Sequence, residues 1–274
     1  MQKRLSHCRV IGYLAVALCA VCFLGGCRTH LPSTAPQTFR VMTYNLHHGE
    51  GLDGKVDLLR IAELIKREGA DIVALQEVDK GVERTARRDL PDELAALTGM
   101  TCIFSNNYHH QGGEYGNAVL TRFPVKHWTN THYQKVNETE QRGILQLTLE
   151  VRGRELVFMA THLDHRPDDA ARWSNVEEIE ALEKQYRGRS LILCGDFNDT
   201  PENRVCRRLN QSFEDTWTLA GNGEGFTIPA EKPRKRIDYI WISKEKSLVP
   251  LRAWVPRSDA SDHLPVVGEF RLRP

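Results

Sequence analysis

Short apolar runs separated by polar turns recur along the chain and predict buried strands. The runs are residues 39–44, 71–75, 117–120, 144–151, 156–160, 191–194, 237–242 and 266–272. Apolar residues at helical spacing predict two helices. They are Val56, Leu59, Ile61, Leu64 and Ile65, and then Ala170, Trp173, Val176, Ile179 and Leu182. Because the strands are separated by both hairpins and helices, the pattern predicts an α/β (α+β) fold built on mixed sheets.

Acid, amide and imidazole side chains stand where several of these runs end. Asn45 closes the first run, and Glu77 follows the second. His162 follows the run that ends at residue 160, and Asp196 follows the run that ends at residue 194. A strand gives a rigid base to a polar residue at its tip, which a preorganised site requires. Carboxylates in such positions predict a metal site.

The order of these residues resembles the endonuclease/exonuclease/phosphatase superfamily. The order is Asn45, Glu77, His162, Asp196-x-Asn198, Asp238, and Asp262-His263 within Ser-Asp-His-Leu-Pro. The resemblance covers nearly the whole mature chain, from Thr38 to Arg273. It implies a four-layer α/β sandwich, in which two packed mixed β-sheets are flanked by helices. It also implies hydrolysis of a phosphate ester at a site on one end of the sandwich.

The metal ligands follow from this resemblance and from ligand chemistry. Glu77 is expected to be the first ligand, Asn45 to contribute its amide oxygen, and Asp262 to supply a further carboxylate. A partly hydrated site of oxygen ligands suits Mg²⁺, or Mn²⁺.

The resemblance gives five other residues catalytic roles. Asp196 aligns the attacking water and takes its proton, and Asn198 donates to a phosphate oxygen or holds the aspartate. An Asx-type turn is the alternative reading of this pair. His263 contacts a phosphate oxygen in the transition state, and Asp238 orients and charges it. His162 is expected to hydrogen-bond the substrate phosphate from the other side.

Two residues are candidates for substrate binding. Asn117 ends the glycine-rich segment 112–117, which is predicted to be a loop, and a turn asparagine is the alternative. Arg142 could clamp a phosphate with its planar guanidinium, although an ordinary surface arginine fits the sequence as well. His47 and His48 follow Asn45 and are expected at the rim of the site.

Other polar segments carry less information. His110 and His165 stand near motif ends, but nothing in the sequence separates them from solvated loops. The basic run at Lys232, Arg234, Lys235 and Arg236 steers an anionic substrate or forms a solvated loop.

The start of the chain predicts an export signal. Lys3, Arg4 and Arg9 form a basic region, residues 10–24 are apolar, and Leu24-Gly25-Gly26-Cys27 resembles a bacterial lipobox. An uncleaved transmembrane anchor is the alternative, but the apolar stretch is short for a span. We expect residues 1–26 to be removed, Cys27 to be lipidated, and residues 27–37 to tether the domain 38–274 to the bacterial cell envelope. Arg28, after Cys27, favours the outer membrane facing the periplasm.

Charge and cysteine content exclude some functions. Removing residues 1–26 takes three basic residues and no acids from the 37 basic and 36 acidic residues of the chain, which leaves 34 and 36. A strongly basic nucleic-acid surface is therefore not the main feature of the chain, although a local patch stays open. Cys102, Cys194 and Cys206 have no close spacing, so neither a disulfide framework nor a zinc cluster is predicted.

The leading hypothesis is a monomeric, divalent-metal-dependent phosphodiesterase or phosphatase of unassigned phosphorylated substrate. Residues 236–239 differ from the Trp-Cys-Asp-Arg of inositol 5-phosphatases, and His162 is more similar to the deoxyribonuclease and sphingomyelinase branches than to the tyrosine usual in apurinic endonucleases. A nuclease acting on DNA or RNA is the alternative enzyme. A binding module that lost catalysis is the alternative of another class, and the presence of every motif residue argues against it.

Overall fold

Two mixed β-sheets of six strands each pack against one another and carry helices on their outer faces. The computed structural model describes residues 38–244 and 247–273. The strands are β1 (Thr38–Asn45), β2 (Ile72–Lys80), β3 (Thr101–His110), β4 (Gly113–Thr121), β5 (Val125–His132), β6 (Gly143–Val151), β7 (Arg154–His162), β8 (Leu191–Asp196), β9 (Phe213–Asp215), β10 (Asp238–Ser243), β11 (Leu248–Trp254) and β12 (Val266–Leu272). The order is β11-β12-β1-β2-β4-β3 in one sheet and β5-β6-β7-β8-β10-β9 in the other.

Both predicted helices are present. The helices are α1 (Leu58–Glu68), α2 (Leu90–Thr98), α3 (Ala170–Gln185), α4 (Arg204–Ser212) and α5 (Thr216–Ala220). The side chain of Asp57 caps α1 by accepting the Leu59 N–H at 2.9 Å, and Gly69 ends the helix in the left-handed conformation. Among these helices of the described residues, none combines the length and apolar character needed to span a bilayer.

Three apolar layers hold the molecule together. Successive residues of the central strands point to opposite faces, so that Val41 enters the layer between the sheets and Met42 the layer under α1 and α2. In the second sheet, Phe158 faces the inter-sheet layer and Met159 faces α3 and α4. Both faces of each central strand are therefore buried, which explains their nearly continuous apolar sequences. The four-layer α/β sandwich is confirmed.

Each sheet has one parallel pair near its centre, and this pairing locates the site. β1 runs parallel to β2, with Asn45 opposite Gln76. β7 runs parallel to β8, with His162 opposite Asp196. The carboxyl ends of parallel strands meet at one sheet edge, so these residues emerge together. β10 is antiparallel to β8 and begins with Asp238 opposite Asp196, at the same edge.

One local prediction differs from the structure. The segment 112–117 is predicted to be a loop, but β4 begins at Gly113 because a tight hairpin pairs it with His110 of β3. Cys194 and Cys206 are buried, Cys102 is half-buried, and all three are free. The predicted signal segment, Cys27 and the tether lie outside the described residues.

Candidate active site

Asn45 and Glu77 meet at the carboxyl ends of β1 and β2. The pairing of β2 with β4 shifts between Leu75 and Val78, so a β-bulge carries Glu77, whose φ is +58°. A left-handed conformation costs a non-glycine residue about 1–3 kcal/mol and is concentrated at functional sites. The Asn45 Nδ2 donates to Glu77 Oε1 at 2.9 Å and to Asp196 Oδ2 at 3.0 Å. Asn45 therefore links a residue of the first sheet to one of the second.

Asp196 is the central carboxylate and is almost fully buried. Its Oδ1 accepts the backbone N–H of Asn198 at 2.9 Å. This bond forms the Asx-type turn considered as an alternative, and Asn198 has a positive φ of 50°. Burial, followed by the charge of Asp238, raises the pKa of Asp196 to about 7, although His263 and the hydrogen bond from Asn45 act in the opposite direction. Asp196 is thus a carboxyl able to exchange a proton near neutral pH.

His263 is held by Asp238. The His263 Nδ1 lies 2.9 Å from Asp238 Oδ2, and its Nε2 lies 3.7 Å from Asp196 Oδ2. Burial acts to lower the pKa of His263, but the carboxylates of Asp238, Asp196 and Asp262 outweigh it and raise the pKa to about 10. His263 is therefore an imidazolium at neutral pH.

His162, unlike His263, is neutral. Burial, followed by the charges of Arg142, His263 and His165, holds the pKa of His162 well below its ordinary value. The Arg142 Nη1 lies 3.0 Å from His162 Nδ1. The guanidinium of Arg142 and the amide nitrogen of Asn198, which lies 3.1 Å from Nε2, can both only donate, whereas a neutral ring has one acceptor nitrogen, so the ring accepts from one of these two donors. The Nε2 of His162 lies 3.6 Å from Asp196 Oδ2 and therefore faces the centre of the site.

Asn198 connects the two strand ends of the second sheet. Its Nδ2 donates to the carbonyl of Leu163 at 3.1 Å and lies 3.1 Å from His162 Nε2. Its backbone N–H holds Asp196, as described above. The amide is therefore placed by the loop after β7 and lies beside both Asp196 and His162.

A cleft of about 350 Å³ opens over these residues. Predicted residues and residues that the sequence did not single out both line it. Its walls are His47, Glu77, Arg84, Tyr108, His110, Tyr115, Glu140, Arg142, His162, His165, Asp196, Asn198 and His263. His47 lies at the cleft as expected.

The sequence did not single out four of the lining residues, and it left three others open. Arg84, Tyr108, Tyr115 and Glu140 belong to no motif of the resemblance, and only the fold brings them to the cleft. His110 and His165, which the sequence does not separate from solvated loops, also line the cleft. Arg142 is no ordinary surface arginine, because it is 4% exposed and its Nη2 pairs with Glu140 at 2.8 Å.

Part of the basic run is buried. The Arg236 Nη1 pairs with Asp215 Oδ2 at 2.7 Å, and both side chains are buried. Arg236 is therefore not part of a solvated loop, and its charge is already neutralised. Within the basic run, Lys232, Arg234 and Lys235 are the residues that are available to steer an anionic substrate.

Four predicted site residues lie outside the wall of the cleft. Asn45 and Asp238 are bonded to its lining residues Glu77, Asp196 and His263, as described above, whereas Asn117 and Asp262 make other contacts. Asn117 is buried within β4 and donates to the Gly143 carbonyl at 3.2 Å. The Asp262 Oδ1 accepts from the hydroxyl of Ser261 at 3.3 Å, and that hydroxyl also donates to the Asn45 carbonyl at 2.7 Å. A substrate contact by Asn117 and metal ligation by Asp262 stay predictions.

The oxygen atoms around Asn45 are suitable ligands for a hard divalent cation. Glu77 Oε1 and Asp196 Oδ2 both accept from the single nitrogen Asn45 Nδ2, so two carboxylates face one point. The Asn45 Oδ1 accepts the backbone N–H of His47 at 3.0 Å, so ligation through this oxygen would require the amide to turn. Converging carboxylates with an amide are the oxygen ligands that Mg²⁺ takes.

Comparison with known proteins identifies the family. The model of the Endonuclease/Exonuclease/phosphatase family matches residues 42–263. The chain therefore belongs to this family, whose members hydrolyse phosphate esters.

Individual relatives match over most of the chain. YbhP of Escherichia coli (strain K12) is 27% identical over 251 residues, which cover 86% of this chain and 97% of that protein. The 5'-tyrosyl-DNA phosphodiesterase of Caenorhabditis elegans is 27% identical over 192 residues, which cover 66% of this chain and 48% of that protein. The crystal structure of an endonuclease/exonuclease/phosphatase from Beutenbergia cavernae has a TM-score of 0.71 and 26% identity, and covers 86% of this chain and 72% of that chain.

Proposed function

We propose that the protein is a divalent-metal-dependent hydrolase of phosphate esters that acts as a lipid-anchored monomer. The proposed reaction rests on one observation. The buried carboxylate of Asp196 lies between the neutral imidazole of His162 and the imidazolium of His263. The distances to its Oδ2 are 3.6 Å from His162 Nε2 and 3.7 Å from His263 Nε2. A neutral imidazole and an imidazolium thus flank one base.

Each side chain then has a role in attack on phosphorus. Asp196 accepts a proton from the attacking water, which its pKa near neutrality favours. The N–H of neutral His162 and the imidazolium of His263 donate to phosphate oxygens, whose charge grows in the transition state. With the Asn198 amide turned to the substrate phosphate, the donation from Arg142 to His162 Nδ1 leaves the ring proton on Nε2, and Asp238 keeps His263 charged.

A bound Mg²⁺, or Mn²⁺, would polarise the phosphoryl group and stabilise the leaving oxygen. Glu77 and Asn45 would hold it, with Asp262 as a further carboxylate. The convergence of Glu77 and Asp196 on Asn45 supports this assignment.

One wall of the cleft supports a substrate larger than inorganic phosphate. The ring centroids of Tyr108 and Tyr115 lie 5.0 Å apart, and His110 lies 6.0 Å from Tyr108 and 6.4 Å from Tyr115. Aromatic side chains offer a large apolar area and pack against other rings in offset-stacked or edge-to-face arrangements. This wall favours a phosphodiester or an organic phosphomonoester in which the phosphate reaches Asp196 and the organic group rests on the rings.

Turnover of two simple esters tests this proposal. We expect the purified full chain to hydrolyse bis-p-nitrophenyl phosphate or p-nitrophenyl phosphate with Mg²⁺ or Mn²⁺, and to lose that activity when the metal is chelated. A preference for the first ester indicates a phosphodiesterase, and a preference for the second indicates a phosphatase. The likeness to a 5'-tyrosyl-DNA phosphodiesterase supports a nuclease as a second candidate. Cleavage of labelled oligonucleotides in preference to both small esters would favour it. A folded protein without turnover of any of these substrates under any divalent metal would favour the binding module.

The location is also a proposal. The lipobox-like sequence at Leu24 to Cys27 supports removal of residues 1–26 and lipidation of Cys27. Residues 27–37 would tether the domain to the cell envelope, at the outer membrane facing the periplasm. A lipid-anchored hydrolase there would meet phospholipid head groups, nucleic acid from outside the cell and small phosphodiesters.

A further inference from the structure

The turn directly after Asn45 brings two imidazoles and a carboxylate together. His47, His48 and Gly49 have successive φ values of 45°, 46° and 86°. The turn is closed by the Gly49 N–H to the Leu46 carbonyl and by the Glu50 N–H to the His47 carbonyl, each at 2.9 Å. One nitrogen of each histidine and one oxygen of Glu50 all lie within 4.8 Å of one another.

His48 is the residue that points to a ligand. It is 8% exposed, and its Nδ1 has no hydrogen-bond partner among the described residues. Leaving a buried polar nitrogen unpaired costs about 1–3 kcal/mol. Its other nitrogen, Nε2, lies 3.5 Å from Glu50 Oε2. The Nδ1 of His48 is therefore without a partner among the described residues, and its Nε2 faces the carboxylate of Glu50.

Three carboxylates and one guanidinium lie around this turn. Arg84 is the cationic side chain that acts on His48, and it is already paired with buried Asp79 through two hydrogen bonds of 2.8 Å. Asp79 and Glu77 act on His48 as well, and Glu50 adds a third carboxylate. Acidic groups around the turn thus outnumber the one guanidinium.

We propose that His47, His48 and Glu50 bind a second divalent cation, of the zinc class, separate from the oxygen-ligand site at Asn45 and Glu77. Imidazole nitrogens suit Zn²⁺ and other transition metals, whereas Mg²⁺ prefers oxygen. Two histidines and one carboxylate leave a fourth position open to water or to a ligand.

The site would be coupled to the active-site cleft. His47 lines the cleft, and its backbone N–H holds Asn45 Oδ1 at 3.0 Å. A zinc ion on His47 would fix this turn and with it the orientation of the Asn45 amide. The proposal does not depend on which ester the cleft hydrolyses.

Zinc binding in the presence of excess Mg²⁺ tests the site. The full chain is stripped with a chelator, Mg²⁺ is added to fill the oxygen-ligand site, and Zn²⁺ is titrated against a chromophoric chelator. Co²⁺ replaces Zn²⁺ in a parallel titration, in which the intensity of the visible absorption bands reports the coordination geometry. We expect one equivalent of Zn²⁺, weakened about 10–100-fold in both His48→Ala and Glu50→Gln.

Matched variants separate this site from the cleft and from the surface. Glu77→Gln removes a carboxylate of the oxygen-ligand site, and His127→Ala removes an exposed imidazole on β5; both should keep the zinc affinity of the wild type. Glu50→Gln preserves shape, so comparison of metal-free melting curves confirms that it folds. Equal zinc affinity in wild type and Glu50→Gln would overturn the proposal, as would no zinc binding by the wild type or loss of zinc in Glu77→Gln alone.

Discussion

The imidazole of His263 and the carboxylate of Asp238 form a hydrogen bond of 2.9 Å between Nδ1 and Oδ2, and both side chains are buried. The pairing directs the other nitrogen, Nε2, toward Asp196 at 3.7 Å. A buried carboxylate that orients an imidazole also stabilises its charged form. Asp238 thus acts on the reaction through His263.

Asp238→Asn should lower kcat and shift its pH dependence. In the wild type the pKa of His263 is raised to about 10, so the imidazolium persists through neutral and mildly alkaline pH. Without the Asp238 charge, burial still lowers this pKa, and activity should be lost at lower pH than in the wild type. We expect kcat at neutral pH to fall about 10²–10⁴-fold.

The pH profile of kcat distinguishes this role from a structural one. Asp259→Asn, which changes an exposed aspartate outside the cleft, should leave the profile unchanged. If Asp238→Asn lowers kcat equally at every pH, Asp238 does not set the charge of His263.

Glu77→Gln should raise the Mg²⁺ concentration needed for activity. The change keeps the shape of the side chain and removes the ligand charge at the strained bulge of β2. Loss of a metal ligand or its support commonly costs about 10–100-fold in affinity or activity. Turnover measured across a Mg²⁺ series, with exposed Glu63→Gln on α1 as the matched control, checks this. Wild-type turnover by Glu77→Gln at limiting Mg²⁺ would exclude Glu77 as a ligand.

Arg142→Lys should impair catalysis although the charge is kept. The guanidinium of Arg142 reaches His162 Nδ1 at 3.0 Å and Glu140 at 2.8 Å, which the single ammonium of lysine does not reproduce. Losing a hydrogen bond from a charged group, at about 1.5–3 kcal/mol, corresponds to a loss of about 10–100-fold. Kinetics of this variant beside Arg187→Lys, at an exposed position, provide the test. Equal kinetics in both variants would show that Arg142 does not position His162.

Cys27→Ser should block lipidation and leave the protein unprocessed or released from the membrane. None of the described helices is long and apolar enough to cross a membrane. Labelling of growing cells with a radioactive fatty acid, followed by fractionation, measures both effects. An unlabelled wild type, or a processed variant that stays on the membrane, would contradict the lipid anchor.

The sequence predicted the central strands and missed the edge strands. The eight apolar runs correspond to β1, β2, β4, β6, β7, β8, β10 and β12, which all lie inside the sheets. The four others, β3, β5, β9 and β11, are the edges. Edge strands such as β5, with its exposed Lys126 to Thr129, bury too few side chains to produce an apolar run.

The difference between central and edge strands also explains which site residues the sequence could predict. His162 and Asp196 stand at the ends of central strands, where a buried run marks their place in the sequence. Tyr108 belongs to an edge strand and Arg84 to a short turn after β2, so no local pattern marks them. Their position in the cleft follows from tertiary packing of the β3–β4 hairpin beside β2, which periodicity does not reveal.

The turnover of Asp196→Asn at saturating Mg²⁺ tests the central claim most directly. Asp196 joins Asn45, His162 and His263 in one buried network and is the only carboxylate given the role of base. On the ester that the wild type hydrolyses best, kcat should fall about 10²–10⁴-fold while KM changes little, because proton transfer occurs in the transition state. A kcat close to that of the wild type, in a folded and metal-loaded variant, would contradict the assignment of Asp196 and with it the proposed active site.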